Sequence, residues 1–472
     1  MANYRCVFGK WVLSGLLLMS FFSGCSLPLR RAASQSRGHA FITYWRPATN
    51  NNQLRLAVKD VIDVKGVVTT AGSEYIAKNS SPATRDAKCL NIARQRNVQI
   101  VGKTNLSEFA ISPSGINDYY GTPKNHFSGW LHSYIPGGSS SGSASAITSG
   151  MADVAFGTDT TGSLRVPAAC CGIVALKTTF GLVPLDGVFP IDPKHLDTVG
   201  PMGKDIARVV EGMDLLQNGF AAQYRAAVAA KPLAKQIKIG RLHVDSPNPG
   251  NLALGVTDVG GLVLSITDLR NLFLGITNPA SLSLGGTDAR IDKGVDEALA
   301  KSQFQVISLD PDFKAKWRQA QKDANIVGAV GAWISDQKYQ YKPGVSARAN
   351  SVMLLGQILE PEYRNALLRQ ADWQRTLSEL FKKVDFIALP TLQTLPLTIP
   401  LAGSPALLEA RVLALQNTSA VNFAGNPALV IPIPVRHAHV SVTSLQLVGP
   451  RLSEAELLNA GRLIEASNPL HN

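Results

Sequence analysis

Apolar and polar positions along this chain switch repeatedly between a strand-like and a helix-like spacing, and the elements they predict alternate. From Arg55 the run RLAVKDVIDVKGVVTTAGSEYI starts like a strand, with Lys59 inside it, and passes into a Gly/Thr-rich turn region. The next stretch, ATRDAKCLNIARQRNVQIVGKTNL, predicts an amphipathic helix followed by the strand VQIVGK, an α/β alternation. IARVVEGMDLLQNGF predicts a further helix, DFIALPTLQ and NPALVIPIPV read as buried strands, and LSEAELLNAGRLIEA predicts a closing helix.

Two segments depart from this alternation. From Leu252 the chain repeats every ten residues, as LALGVTDVGG, LVLSITDLRN, LFLGITNPAS and LSLGGTDARI. Four such short units would build only a marginal solenoid. They read as a tandem expansion of a surface loop over about residues 252–291, because lengthening a loop costs little entropy. The second is PGGSSSGSAS from Pro136, with five serines between Ser139 and Ser145. Such composition suits a flexible linker. A linker should be followed by a fresh start, yet AITSGMADVAFG continues small and apolar, and GTDTTGSLRVPAACCGIVALK then repeats the design of a Gly/Ser/Thr cluster opening onto an apolar run. Both clusters therefore read as loops tied to core elements, a setting in which backbone N–H groups converge.

Composition changes the picture mainly at the N-terminus. At 472 residues the length alone suggests two or three domains, and the hydrophobic share of 45% suits a globular protein. Of the formal charge of +12, Arg5 and Lys10 lie in the first 24 residues without an acid, which leaves +10 for the rest. That excess forms no Lys/Arg run interleaved with aromatics, so a nucleic-acid partner is not expected. Arg5 and Lys10 precede the apolar run WVLSGLLLMSFF, the layout of a signal peptide over residues 1–24. Its 12 residues are short of the ~20 needed to span a bilayer. The ending FSGC resembles a bacterial lipobox, although Phe22 departs from its usual Leu, Val or Ile, and it marks Cys25 for lipidation. Residues 25–50, with Arg30, Arg31, Arg37 and Arg46, read as a basic tether suited to anionic headgroups. The expectation is an exported, periplasmic, membrane-anchored protein. Cys89, Cys170 and Cys171 remain, an odd set at irregular spacing with no CxxC pair, so buried thiols are expected rather than disulfides or a metal site.

The letters Gly138 to Gly142 satisfy GxSxG and would make Ser140 a nucleophile elbow, but that elbow needs a strand directly before it, and Trp130 to Pro136 reads as a loop. A different combination fits better. AVKDVIDVKGVVTTAGS, PGGSSSGSAS and GTDTTGSLRVPAACCGIVALK occur in this order, accompanied by KTNLSEFA, YGTPKN, PTLQT, NFAGNPALVIP and LQLVGPR. On these motifs the chain resembles the amidase signature family from about Asn51 to Asn468, interrupted by the decapeptide repeats. The resemblance implies one large α/β domain over residues 51–470, with a mixed central β-sheet flanked by helices, in place of several domains.

It also implies a Lys–Ser–Ser arrangement, which by motif is Lys59, Ser139 and Ser163, with Ser163 the nucleophile and no metal or organic cofactor. Lysine serves as a base only when largely neutral, and burial lowers its pKa by up to about 3–5 units. The apolar residues before Lys59 suit such burial, while Asp60 would oppose it if turned inward. Ser139 would relay the proton, and the family holds this serine through a cis peptide bond. Backbone N–H groups of Thr160, Thr161, Gly162 and Ser163 would form the oxyanion hole, with Asp159 and Arg165 bracing the loop. Thr161 departs from the family, which has glycine there; its bulk and its aversion to positive φ put the aim of the loop in question. The expected activity is hydrolysis of a carboxamide, in a small molecule or peptide amide, to an acid and an amine or ammonia; the rival is a membrane-tethered binding protein with a degenerate amidase fold. The acyl pocket is expected between Trp333 and Arg364. An export signal argues against a role on charged tRNA.

Overall fold

A computed structural model describes residues 37–47, 53–130, 132–243, 288–400, 405–436 and 438–470. The leader, Cys25, most of the tether and most of the decapeptide repeats lie outside the described residues.

The described residues build one α/β domain on a mixed sheet of eleven strands. In chain order these are β1 (Phe41–Tyr44), β2 (Arg55–Lys59), β3 (Gln99–Thr104), β4 (Val154–Asp159), β5 (Val174–Lys177), β6 (Thr198–Gly203), β7 (Lys238–Arg241), β8 (Gln305–Ser308), β9 (Phe386–Pro390), β10 (Ala428–Pro434) and β11 (Val442–Val448). Across the sheet the order is β1-β3-β2-β4-β6-β5-β10-β11-β9-β7-β8. β3, β2 and β4 run parallel, as do β9, β7 and β8, and the strands between are antiparallel.

Every residue of β4, β5, β6 and β9 is buried, which requires cover on both faces of the sheet. Alternation along β2 sorts side chains between the two layers. Leu56 and Val58 join a core with Phe156, Ile206, Val209 and Leu457, under the helices Ile206–Leu216 and Glu454–Ser467. Ala57 faces the other way, with Ala155, Leu164 and Val166, towards the helices Ser141–Thr148 and Arg165–Cys171. Lys59, two residues on from Ala57, takes the same face. The helix Ser141–Thr148 lies close because Gly142 has no side chain; a Cβ there would sit 2.5 Å from the backbone nitrogen of Asn105.

Three sequence expectations need correction. Phe41–Tyr44, placed in the tether, is strand β1, antiparallel to β3 with Phe41 buried; the surrounding arginines obscured a four-residue strand. The amphipathic helix expected ahead of β3 shrinks to a 3₁₀ turn at Lys88–Leu90 and the helix Asn91–Gln95, ended by Asn97 in the left-handed region at φ 52°. The last letters of the fourth decapeptide are no loop: Asp288 caps the helix Ala289–Ser302 by accepting from the Arg290 N–H, so the insertion ends before Ala289.

Candidate active site

β2 and β4 are parallel neighbours, paired Val58 to Phe156, so their C-terminal ends leave the sheet on the same side. That edge is where an open α/β sheet presents its ligand site. It brings Lys59, the last residue of β2, beside the loop that follows β4.

Lys59 is completely buried, and its Nζ donates to Ser139 Oγ at 2.7 Å and to Thr158 Oγ1 at 2.8 Å. Burial drives its pKa down from the usual lysine range to about 7, against the partial opposition of the Asp159 and Asp197 carboxylates. Asp60, the adjacent residue, is spent elsewhere: it pairs with Lys103 at 2.7 Å and accepts from the Thr70 N–H at 3.0 Å and hydroxyl at 2.5 Å. The neighbour that threatened to keep Lys59 charged is thus neutralised by another lysine.

Ser139 follows a cis peptide bond from Gly138 and is fully buried just ahead of the helix Ser141–Thr148. Ser163 stands after β4 at 9% exposure, the outermost of the three, and lines a cleft with Gly138, Thr160 and Thr161. The Ser140 N–H donates to the Ser163 carbonyl at 3.1 Å and ties the two loops together. No described residue accepts from the backbone N–H groups of Thr161, Gly162 or Ser163, which leaves donors at the cleft floor for an incoming oxygen.

A buried network braces this loop. Arg165 is wholly buried; its Nη2 and Nε donate to Asp159 at 2.9 and 3.0 Å, and its Nη1 to the Thr418 carbonyl at 2.9 Å and Gln446 Oε1 at 2.7 Å, with Asn422 as a further partner. Burial pushes the Asp159 carboxyl up, but the Arg165 charge and its hydrogen bonds outweigh this and hold the pKa at about 2. Asp159 in turn accepts from the Leu164 N–H at 3.2 Å, one residue past Ser163. Thr160 donates its hydroxyl to Asp197 at 2.7 Å. Burial raises Asp197 to about 6, against hydrogen bonds from the Ile191 and Asp192 N–H groups and from Thr160. Thr158 and Asp197 carried no sequence signal of their own, since their partners are set by the register of β4 against β6.

The loop accommodates the threonine whose bulk put its aim in question. Positive φ falls on Gly162, at 141°, and Thr161 is not among the residues with positive φ. The threonine methyl is met by a glycine on the opposite wall: a Cβ on Gly328 would lie 2.7 Å from Thr161 Cγ2. Bulk absent at one position is supplied from the other.

The cleft encloses about 80 Å³. Its walls come from the helices Pro311–Asp336, Ala347–Leu368 and Pro405–Leu415, through small and aliphatic residues such as Ala329, Ala332, Val352, Leu355, Ala410 and Leu413. The sequence placed this pocket between Trp333 and Arg364; only the middle helix falls there. Glu409 also lines it, with its carboxylate taken up by the Ser114 N–H and hydroxyl and by Arg348 at 2.5 Å.

Other candidates take structural places. Ser140, the elbow alternative, is buried, with no strand leading into it, and donates to the Thr158 carbonyl at 3.3 Å. Cys89, Cys170 and Cys171 are free buried thiols, and burial raises Cys89 and Cys170 to about 12. Among the described residues, His243, Asp292 and Asp296 cluster within 4.8 Å, but Arg241 pairs with both carboxylates at 2.6 and 2.7 Å and already supplies the countercharge.

The chain matches the amidase family model over residues 54–249 and 323–458, and the interruption contains the decapeptide repeats. Among curated relatives it is 31% identical over 416 residues to the glutamyl-tRNA(Gln) amidotransferase A subunit of Natronomonas pharaonis, covering 86% of this chain and 93% of the relative. It is 30% identical over 465 residues to the corresponding protein of Streptococcus pneumoniae, covering 88% and 83%. Solved folds agree: the glutamyl-tRNA(Gln) amidotransferase A subunit of Thermotoga maritima superposes with TM-score 0.66 at 21% identity, covering 92% of this chain and 88% of that one. A bacterial aryl acylamidase of the amidase signature family superposes with TM-score 0.68 at 18% identity, covering 88% and 83%. With its ordered motifs, its sheet and these relatives in agreement, the chain belongs to the amidase signature family.

Proposed function

We propose that the protein hydrolyses a linear, uncharged carboxamide through Ser163, with Ser139 as proton relay and Lys59 as base. The observation that carries this reading is the 2.7 Å contact between Lys59 Nζ and Ser139 Oγ in full burial, where the amine has a pKa of about 7. A base of that pKa is about half neutral at pH 7, which suits general-base work. As Ser163 Oγ attacks the substrate carbonyl, its proton passes to Ser139, whose own proton passes to Lys59. The oxyanion is met by the N–H groups after β4. When the C–N bond breaks, the proton returns through Ser139 to the leaving amine, and water releases the acid from the acyl-enzyme by the same relay.

The cleft favours an uncharged acyl group: its lining holds one carboxylate, already paired, and no lysine or arginine among the described residues. The relatives named as amidotransferase subunits motivate a second reading, in which the donor amide is glutamine. A substrate carboxylate calls for a cation, which the described lining does not offer. Thr161 and the decapeptide expansion motivate the degenerate binding-protein reading; the room made by Gly328 answers the first of these. We further propose export and anchoring through lipid on Cys25, supported by Arg5, Lys10 and the apolar run that follows; fatty-acid labelling that persists in Cys25→Ser would refute it.

The test is labelling of purified protein with a fluorophosphonate, read by intact mass. One adduct, absent in Ser163→Ala and Lys59→Ala, is expected. An adduct that survives Ser163→Ala, or none on well-folded wild type, overturns the reading.

A further inference from the structure

Each of two carboxamides on the wall of the cleft has an atom without a hydrogen-bond partner among the described residues. Gln416 is 1% exposed, and its Nε2 has no hydrogen-bond partner among the described residues; the same holds for Oδ1 of Asn325. Both residues line the cavity that Ser163 opens into. Their placement is firm. Gln321, one turn before Asn325 on the helix Pro311–Asp336, donates to the Gln416 backbone carbonyl and accepts from the Ala420 N–H at 3.1 Å. The Gln416 backbone is further held in a bridge to Leu392, so only its side chain is left uncommitted.

Two other polar groups on the wall are already committed. Glu409 holds Ser114 and Arg348, and the Ser351 hydroxyl donates back to the Ala347 carbonyl at 2.8 Å. A largely apolar cleft therefore presents two carboxamides, each with one atom left to pair, and a few polar groups of this kind fix the orientation of a small ligand. Each carboxamide carries both a donor and an acceptor, so the group that pairs with the two together is itself a donor and acceptor of the same geometry: a second amide.

We propose that Asn325 and Gln416 form a subsite for an amide group in the acyl half of the substrate, so that the enzyme acts on diamides and N-acylamino-acid amides in preference to simple alkyl amides. The substrate's second carbonyl accepts from Gln416 and its N–H donates to Asn325. Sites built to hydrogen-bond a substrate reject analogues that leave their buried groups unpaired. The inference rests on the hydrolase reading above and narrows its substrate class.

The test compares two p-nitroanilides of equal shape, the N-acetylglycyl and the 4-methylpentanoyl, which differ only in the internal amide. In the wild type the N-acetylglycyl anilide is expected to have a kcat/KM higher by about 100-fold, and Gln416→Met or Asn325→Leu to cut that ratio below about fivefold. Taking the ratio on one sample cancels any loss of folded enzyme. Should both anilides turn over too slowly, N-acetylglycinamide is expected to protect Ser163 from the fluorophosphonate at a concentration at least about tenfold below that of 4-methylpentanamide. A wild-type ratio near one, or a ratio unchanged in both variants, overturns the subsite while labelling of Ser163 leaves the hydrolase intact. Failure of Ser163 to label overturns both.

Discussion

The floor and the walls of this cleft are built on opposite rules. On the floor, Lys59, Asp159, Arg165 and Ser139 are buried to the last atom and each has a partner in place before any substrate arrives. On the walls most side chains are small or aliphatic, and two carboxamides among them each keep an atom without a partner among the described residues. On the proposed reading the difference separates chemistry from recognition. Dipoles and charges that stabilise a transition state work best when preorganised, so the floor is closed upon itself. Groups that read a ligand must be free to accept it, so the wall is left open.

The largest expected effect comes from opening the floor. Arg165→Met strands the buried Asp159 carboxylate without its ion pair, a loss of about 3–5 kcal/mol of stability when one partner of a buried pair is removed. A lowered denaturant midpoint, together with loss of fluorophosphonate labelling, is expected. A midpoint equal to that of the wild type would show that the network does not brace the Ser163 loop. Next comes the seam between floor and wall. Gly328→Ala places a Cβ 2.7 Å from the Thr161 methyl, and overpacking of that kind costs about 1–3 kcal/mol, or roughly 5- to 150-fold if it falls on kcat/KM. Thr161→Gly in the same chain should restore activity. A double-mutant cycle with no coupling would separate the two walls again.

Proton supply is a smaller and sharper test. Because burial lowers Lys59 to about 7, activity should fall about tenfold per pH unit below that value, as the amine gains the proton that disables it. Thr158→Val removes an oxygen that accepts from the ammonium at 2.8 Å, so the limb should move to lower pH. A limb that stays in place, or moves up, would assign it to another group. The stability sign follows from the same shift. Between about 7 and the lysine's ordinary 10.5 the unfolded chain binds the extra proton, so this residue makes folding more favourable as pH rises through that window.

The two surfaces also differ in how far they can be read from the chain. The floor is built from the strand end at Lys59 and two Gly/Ser/Thr-rich segments that the family resemblance covers, so Lys59, Ser139, Ser163, Asp159 and Arg165 were legible as motifs. The buried strands β9 and β10 were legible for the same kind of reason, as short continuous apolar runs. The wall gathers Asn325, Ser351 and Gln416 from three distant segments, and only packing of the long helices reveals that they share a cavity. Thr161 shows the limit most plainly: read alone it is a defect, and Gly328, 167 positions on, makes it fit. β1 was lost because a four-residue strand carries too little pattern to stand out from its basic surroundings.

The smallest effect tests the floor at its finest grain, between two adjacent serines. Ser139 Oγ accepts from Lys59 at 2.7 Å, whereas Ser140 Oγ is turned to the Thr158 carbonyl at 3.3 Å, a long hydrogen bond between uncharged groups. Such a bond is worth about 0.5–1.5 kcal/mol. Ser140→Ala leaves the Ser140 N–H on the Ser163 carbonyl, because that contact belongs to the backbone. It should therefore cost only about threefold in labelling rate, within the range that one weak hydrogen bond allows. Ser139→Ala breaks the proton path between Lys59 and Ser163 and should reduce labelling by several orders of magnitude. If instead Ser140→Ala abolished the adduct and Ser139→Ala spared it, the nucleophile would lie on the GxSxG letters, and Lys59 would be a buried structural amine held by Ser139 and Thr158.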